Sequence, residues 1–462
     1  MSTPAPAAKG DSFYVAAEKI YPREVDGRFD RLRRAAVLVL LGLYYALPWI
    51  NWNGRQSVLF DLPARKFHIF ALTLWPQDFI YLSWLLIIAA LSLFFFTAVG
   101  GRLWCGYACP QTVWTEAFVW MERVTEGGRV ARISLDRGPW TAQKILRKSA
   151  KQGLWISFAL WTGFTFVGYF TPVRALGAQT LALGLGPWEW FWMLFYGLAT
   201  YGNAGYLREQ VCKYMCPYAR FQSAMFDRDT LIITYDEKRG EPRGARRRGS
   251  DPRAQGLGDC IGCRICVQAC PTGIDIREGL QIECIACAAC IDACDSVMDR
   301  MGYPRGLVRY ATQNTLTGGE PHVIRPRIIV YGTLLALLIA GLATALALRT
   351  PFGLDVLRDR NALYRELADG GVENVYTARL MNKDERPHQM TFEVVGPLAL
   401  ELDPRTIVVH VDAGAVANVA LTVRTHDRSL TSFGFDVRAH AVDDPALKAH
   451  AAARFIQPGR QP

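Results

Sequence analysis

A chain of 462 residues exceeds what one compact core holds; at roughly 100–200 residues per domain it should divide into several units. With 51% hydrophobic and 20% charged residues, and 13 Trp, 18 Tyr and 23 Phe, it is too apolar and aromatic to be disordered or fibrous. A formal net charge of +10 suits either nucleic acid or an anionic membrane surface, and the distribution of the charge decides between them.

The opening MSTPAPAAKGDSFYVAAEKI is polar and has no apolar core, so no cleavable signal peptide is expected there. Residues 1–34 read as an N-terminal segment, followed by a membrane domain over 35–236. Apolar stretches at about 35–52, 77–99, 154–172, 187–206 and 328–348 approach the roughly 20 residues that cross a bilayer, which predicts about five transmembrane helices. Arg23, Arg28, Arg31, Arg33 and Arg34 precede the first, and Arg123, Arg129, Arg132, Arg137, Lys144, Arg147, Lys148 and Lys151 lie between the second and third. The intervening loop at 53–76 has only Arg55, Arg65 and Lys66, and that at 173–186 only Arg174. The positive-inside rule then makes the N-terminus, 100–153 and 207–327 cytoplasmic. The excess charge belongs to topology and lipid headgroups, and nucleic acid is not an expected partner. Trp49, Trp52, Trp75, Trp188, Trp190 and Trp192 fall near the outer ends, as an aromatic belt would.

Two of the spans run into a repeated motif. GRLWCGYACPQTVW follows the second and YLREQVCKYMCPYARF the fourth, each a CxxxCP: Cys105 and Cys109 before Pro110, Cys212 and Cys216 before Pro217. Proline favours the first position of a helix and keeps the residue before it extended, so Cys109 and Cys216 should be helix N-caps. Orphan N–H groups and the helix dipole would lower the thiol pKa there. Four such sulfurs could converge on one metal; buried structural cysteines or disulfides are the alternatives. Soft thiolates select Cu(I), zinc or iron–sulfur, and a sulfur-rich site favours Cu(I) over Cu(II).

The arginine-rich stretch 237–256 reads as a flexible, solvated linker or headgroup-binding loop. Within 257–327 lies the strongest signal: Cys260, Cys263, Cys266 and Cys270-Pro271, then Cys284, Cys287, Cys290 and Cys294, each run spaced x2-x2-x3. In two-cluster bacterial ferredoxins the fourth cysteine of each run reaches the other cluster. Cys260, Cys263, Cys266 and Cys294 should therefore hold one 4Fe-4S cluster, and Cys284, Cys287, Cys290 and Cys270 the second; structural zinc is the alternative. Asp295 stands where the second run would usually have proline.

A fifth span, 328–348, leads to an outer region at 350–462 whose NVYTARLMN, QMTFEVVG, RTIVVHVDA, ANVALTVRT and FGFDVRAHAV alternate like strands, predicting a C-terminal β-sandwich. The seven histidines, His68, His322, His388, His410, His426, His440 and His450, all lie outside the expected spans, so a bis-histidine membrane haem has no ligands. No phosphate-binding loop, dinucleotide fingerprint or nucleophile elbow stands out.

LWCGYACPQTVWTEAF, CKYMCPYARFQSAMFD, CIGCRICVQACPTGIDIR and NVYTARLMNKDERPH, in this order, resemble the FixG/RdxA/CcoG family, the cbb3-type cytochrome c oxidase accessory proteins. The resemblance implies a multi-domain protein of the bacterial inner membrane, with a cytoplasmic ferredoxin-like domain and a periplasmic Ig-like module. It further implies a cupric reductase that turns Cu(II) into Cu(I) for oxidase assembly. Two [4Fe-4S] clusters would be the cofactors and copper the substrate ion, handled by Cys105, Cys109, Cys212 and Cys216. Expected partners are the lipid bilayer, copper ions, a copper chaperone or cbb3-type assembly factors, an electron donor, and a possible homodimer. The same hairpins and ferredoxin are also similar to NapH-type quinol dehydrogenases; a non-enzymatic assembly scaffold is the third reading.

Overall fold

A computed structural model describes residues 19–444 and 447–458. The start and the last residues of the sequence, including most of the expected N-terminal segment before Lys19, lie outside the described residues. The chain forms two compact units. One contains the described residues through Ile50 together with Leu86–Ala336; the other contains Asn51–Leu85 and the described residues from Leu337 onward.

Among the described residues three helices are long and apolar enough to cross a membrane: Arg28–Trp49, Pro76–Gly100 and Pro326–Ala347. Phe79, Ile80, Leu86, Ile87 and Phe96 stand exposed on the second, and Ile329, Val330 and Leu337 on the third. Such faces are stable only against lipid or another apolar surface. The stretches at 154–172 and 187–206 are largely helical but differ from the expected spans. The first lies in a 26-residue helix, Ala142–Val167, that opens on Lys144, Arg147, Lys148 and Lys151. The second is α-helical only over Pro187–Thr200 and continues as a π-helix, Tyr201–Leu207. Gly202 and Gly205 weaken the ordinary helix there. A Cβ on Gly205 would lie 3.1 Å from the Trp155 ring, so the wider turn lets backbone pass close to the indole. Trp75 also departs from the aromatic-belt expectation: it is buried, with Lys66 Nζ over its ring at 4.8 Å.

Behind the first motif sits a buried charge network. Glu122 and Glu126, on the helix Pro110–Glu126, and Arg132 are fully buried. Glu122 Oε2 accepts from Arg132 at 3.1 Å and from Arg208 at 3.0 Å, while Glu126 lies 3.0 Å from Lys151 and 2.9 Å from Lys148. Burial opposes ionisation of Glu122, but Arg208, Lys19, Arg132 and Lys151 outweigh it and hold its pKa below the usual carboxylate range.

The cysteine-rich region is framed by an antiparallel pair that the sequence pattern did not suggest, Ile232–Tyr235 with Val308–Ala311. It packs with the helices Ile265–Ala269 and Ala289–Met301 around Ile276, Val297, Met298 and Leu307. The stretch 237–256 is not a loose linker. Cys260 N donates to Gly240 O, Gly244 N to Cys260 O and Gly258 N to Pro242 O, and Arg246 rests on the Tyr303 ring and donates to its hydroxyl at 2.9 Å. The helix Ala289–Met301 also supplies a cap. Asp292 accepts from Asp30 N at 2.7 Å and Phe29 N at 3.3 Å, putting a carboxylate on the N-terminus of the first membrane helix.

In the second unit, two antiparallel sheets form the expected sandwich. One orders Glu401–Asp403, Val416–Thr425, Val372–Asn382 and Phe352–Arg358; the other orders Val408–Val411, His388–Val395, Ser432–Ala441 and Lys448–Ile456. Phe352, Tyr376, Leu421, Phe435 and Phe455 lie between them. The loop after the first span also folds, as a three-stranded sheet of Val58–Asp61, Lys66–Ile69 and Leu72–Leu74. This loop packs on the sandwich: Asp78 pairs with Arg349 and with Lys383 at 2.9 Å, Lys66 Nζ donates to Gly414 O at 2.8 Å, and Asn53 donates to Glu385 at 2.7 Å.

His388, beside this junction, lies 2.8 Å from Asp443 and 3.0 Å from Asp384. Burial would lower its pKa, but the two carboxylates raise it above its ordinary value. Its stabilising contribution should therefore be fully present below about pH 6.5 and be lost as pH rises through the elevated value. Thermal melts of wild type and His388→Gln across pH 5–9 should differ most at the acid end and converge at the alkaline end.

Candidate redox site

Each cysteine run is bent by left-handed residues on either side of its second cysteine: Gly262 and Arg264 in the first, Ala286 and Ala288 in the second. Only Gly262 adopts that conformation without penalty; each of the others stores about 1–3 kcal/mol. Alternating right- and left-handed residues turn successive N–H groups inward, a concavity suited to an anionic cluster. Two cavities result. One is lined by Cys260, Cys263, Cys266 and Cys294 with Ile261, Val297 and Met298. The other is lined by Cys270, Cys284, Cys287 and Cys290, with Cys266 at its wall.

All of these cysteines are free, and the two linings group them four and four with Cys266 touching both cavities. Four soft donors around each apolar cavity fit a cubane, which is wider than a single ion and needs its sulfurs set apart. Asp295 accepts from Gly306 N at 2.9 Å, so the residue replacing proline serves the loop behind the ligands.

The first CxxxCP turn lies directly against the backbone of the second cavity. A Cβ on Gly106 would come within 2.7 Å of Ala286 O and 2.9 Å of Ile285 O, the backbone between Cys284 and Cys287. Arg102, almost fully buried, donates to Cys284 O at 2.8 Å and Ala219 O at 2.8 Å, and also to Ile282 O. One guanidinium thereby ties the ligand loop to the helix after Cys216. Arg33 donates to Cys287 O at 3.2 Å and Tyr310 to Ala286 O at 2.7 Å. A further cavity opens between Gln111, Thr112, Arg208, Glu209 and Cys212 on one side and Pro271, Thr272, Ile285 and Cys287 on the other.

Cys109 and Cys216 occupy the N-cap positions of Pro110–Glu126 and Pro217–Met225, as proline placement predicts. At Cys109 the expected lowering of the thiol pKa does not follow. Burial pushes Cys109 up against the pull of the Thr112 and Gln111 N–H groups. Burial, with Cys109, Cys212 and Cys216 as neighbours, raises Cys105 to about 12 despite Arg102. Cys212 is raised to about 11, again chiefly by burial. Desolvation outweighs the dipole because these turns are packed under the cysteine-rich region.

The four thiols are electrostatic neighbours, yet among the described residues no three His, Cys, Asp or Glu side chains are grouped tightly enough to hold one ion. Cys105 Sγ lies 3.3 Å from Oε1 of fully buried Gln222, a residue no motif marks. His68 pairs with Thr73 at 3.0 Å, its pKa lowered to about 4 chiefly by burial; it packs within the loop 53–76.

Family models agree with these features. Residues 207–313 match a 4Fe-4S dicluster domain, 82–125 a 4Fe-4S binding domain, and 342–458 the IG-like fold at the C-terminus of FixG. Ferredoxin-type domains joined to apolar helices and an Ig-like module define a membrane iron–sulfur redox protein.

Three curated proteins are similar over most of their length. Protein RdxB of Cereibacter sphaeroides is 40% identical over 439 residues, 91% of each chain. Nitrogen fixation protein FixG of Rhizobium meliloti is 40% identical over 419 residues, 82% of this chain and 80% of its own. Protein RdxA of Cereibacter sphaeroides is 39% identical over 404 residues, 84% of this chain and 85% of its own. The chain belongs to the FixG/Rdx family.

Proposed function

We propose that the protein is a membrane-bound cupric reductase supplying Cu(I) for assembly of cbb3-type cytochrome c oxidase. The observation that carries this reading is the packing of Gly106, between the thiols of the first CxxxCP, on the backbone joining Cys284 to Cys287. Cys260, Cys263, Cys266 and Cys294 would hold one cubane, and Cys270, Cys284, Cys287 and Cys290 the other. Bound clusters supply reversible one-electron storage. Copper is the substrate: Cu(II) takes one electron and becomes Cu(I), which sulfur donors at Cys105, Cys109, Cys212 and Cys216 favour over the oxidised ion. Burial keeps the free thiols of Cys105, Cys109 and Cys212 protonated at neutral pH, so binding copper there as thiolates releases protons. Arg102 offsets negative charge gathered there and fixes the thiol turns against the ligand loop.

The expected topology puts these parts on the cytoplasmic side and the sandwich in the periplasm. The packing of loop 53–76 on the sandwich supports a shared side for those two. A copper chaperone or assembly factor would receive Cu(I).

Cu(II) added to the reduced protein should abolish the cluster and cupric EPR signals together, and Cys105→Ser or Cys216→Ser should prevent it. Reduction of the clusters by a quinol analogue with no response to copper would instead favour the quinol dehydrogenase; silence to both would favour the scaffold.

A second reading draws on the match of 82–125 to a 4Fe-4S binding domain, which contains Cys105 and Cys109. There the four CxxxCP thiols hold a third cluster. Iron analysis separates the readings: about eight iron atoms per chain are expected for two clusters and about twelve for three.

A further inference from the structure

The two cluster cavities differ in what surrounds them. The ligand loop of the second is covered by Gly106, Arg102, Arg33 and Tyr310. The first has a thiol at the surface: Cys263 is exposed, as are Gly262 and Arg264 on either side of it. Electron tunnelling needs close approach, so a donor too large to enter the molecule can reach the Cys263 edge and not the covered loop.

The ground around that edge is basic. The folded stretch 237–256 carries Lys238, Arg239, Arg243, Arg246, Arg247, Arg248 and Arg253 against Glu237, Glu241 and Asp251. It is fixed to the first run through Gly244 N and Arg246, which both donate to Cys260 O. Nearby acids are largely committed: Asp275 pairs with Arg277, Asp259 with Arg239 and Glu241 with Arg243. Arg247, Arg248 and Arg264 are exposed, and among the described residues none has a carboxylate within ion-pair distance.

We propose that the exposed Cys263 edge and its arginine rim form the docking surface for an acidic one-electron carrier protein of the ferredoxin or flavodoxin class. The proposal rests on the iron–sulfur reading above. The reduced carrier gives up one electron and is oxidised, the electron passes in at the Cys263 edge, and Cu(II) becoming Cu(I) consumes it. No bond is made or broken between the two proteins. Charge complementarity orients the encounter and sets its rate.

The test uses the full cluster-loaded chain in nanodiscs of zwitterionic lipid and an acidic plant-type [2Fe-2S] ferredoxin as the probe. Surface plasmon resonance reads binding at low and high salt; stopped flow reads cluster reduction, with no copper present. Arg247→Glu with Arg248→Glu should weaken binding and slow reduction at least about tenfold, as high salt should, because the rim supplies the steering. Arg405→Glu, on the sandwich, should change neither. A small uncharged reductant should reduce wild type and variant equally, and a ferredoxin with acidic residues turned to lysine should recover binding to the reversed rim. If the reversal costs the protein its clusters, Arg247→Gln with Arg248→Gln and the salt titration replace it.

Binding and reduction indifferent to both salt and reversal would overturn the proposal. So would an effect of the reversal seen only in nanodiscs containing anionic lipid, which would make the rim a headgroup site. Failure of copper to reoxidise the clusters would sink the cupric reductase and leave this result standing.

Discussion

Glu122→Ala should destabilise the protein by about 3–5 kcal/mol, the usual cost of leaving buried charges without their partner. Its carboxylate is the common acceptor for Arg132 and Arg208, both buried, and lies near Lys19 and Lys151. Removing it leaves Arg132 and Arg208 buried without a carboxylate partner, while Lys19 and Lys151 keep Asp136 and Glu126. The damage should extend to the thiols. Arg208 sits at φ +41°, a strained position for a side chain of its size, between two π-helical segments, and Cys212 follows four residues later. Its Nε donates to Gly205 O at 2.8 Å, and its guanidinium lies 5.5 Å from the Trp155 ring centre. With Glu122 gone, Arg208 should relax and carry the second motif with it. Thermal unfolding in detergent, followed by cluster absorbance, should show the loss, with Glu122→Gln falling between. An unchanged melting curve for the alanine variant would refute the account.

The second large effect is expected at Gly106. Alanine there would place a Cβ 2.7 Å from a backbone oxygen, with no flexible side chain to give way, so the first thiol turn must move off the loop between Cys284 and Cys287. Overpacking of this kind costs about 1–3 kcal/mol. The functional loss should exceed the stability loss, because electron transfer falls steeply with separation. Gly106→Ala should keep its iron and its reduction by a small donor while Cu(II) reoxidises its clusters much more slowly. Gly262→Ala is the comparison: its added Cβ meets nothing within 4 Å, and the strain comes from φ +69° alone. Equal reoxidation rates for Gly106→Ala and wild type would sever the proposed route.

How far the sequence reached can be judged from individual residues. The x2-x2-x3 runs declared which cysteines share a cavity, since the crossing of Cys270 and Cys294 is imposed by chain geometry around two adjacent cavities. Proline after Cys109 and Cys216 declared their N-cap positions for a local reason, the clash that keeps the preceding residue extended. Alternation declared the sandwich through strands such as Val372–Asn382. It passed over Lys448–Ile456, whose alternation is carried largely by alanines, which mark a strand weakly, and the short strands of the Val58–Leu74 sheet. Of the five apolar stretches, three lie in helices that are long and apolar enough throughout to cross a membrane among the described residues. The stretch inside Ala142–Val167 is apolar, but its helix begins as a charged segment whose Lys148 and Lys151 answer Glu126.

What the sequence determined by itself is the chemistry that short spacings carry: eight thiols in two runs, two repeated CxxxCP turns, and apolar helices rich enough for lipid. What only tertiary structure decided is the company those groups keep. That burial raises the thiol pKa of Cys105, Cys109 and Cys212, that Arg102 joins three distant backbone segments, that Asp292 caps a membrane helix and that Gly106 touches the ligand loop all depend on packing between residues far apart in the chain. Desolvation and close contact arise from such packing, and no local pattern encodes them.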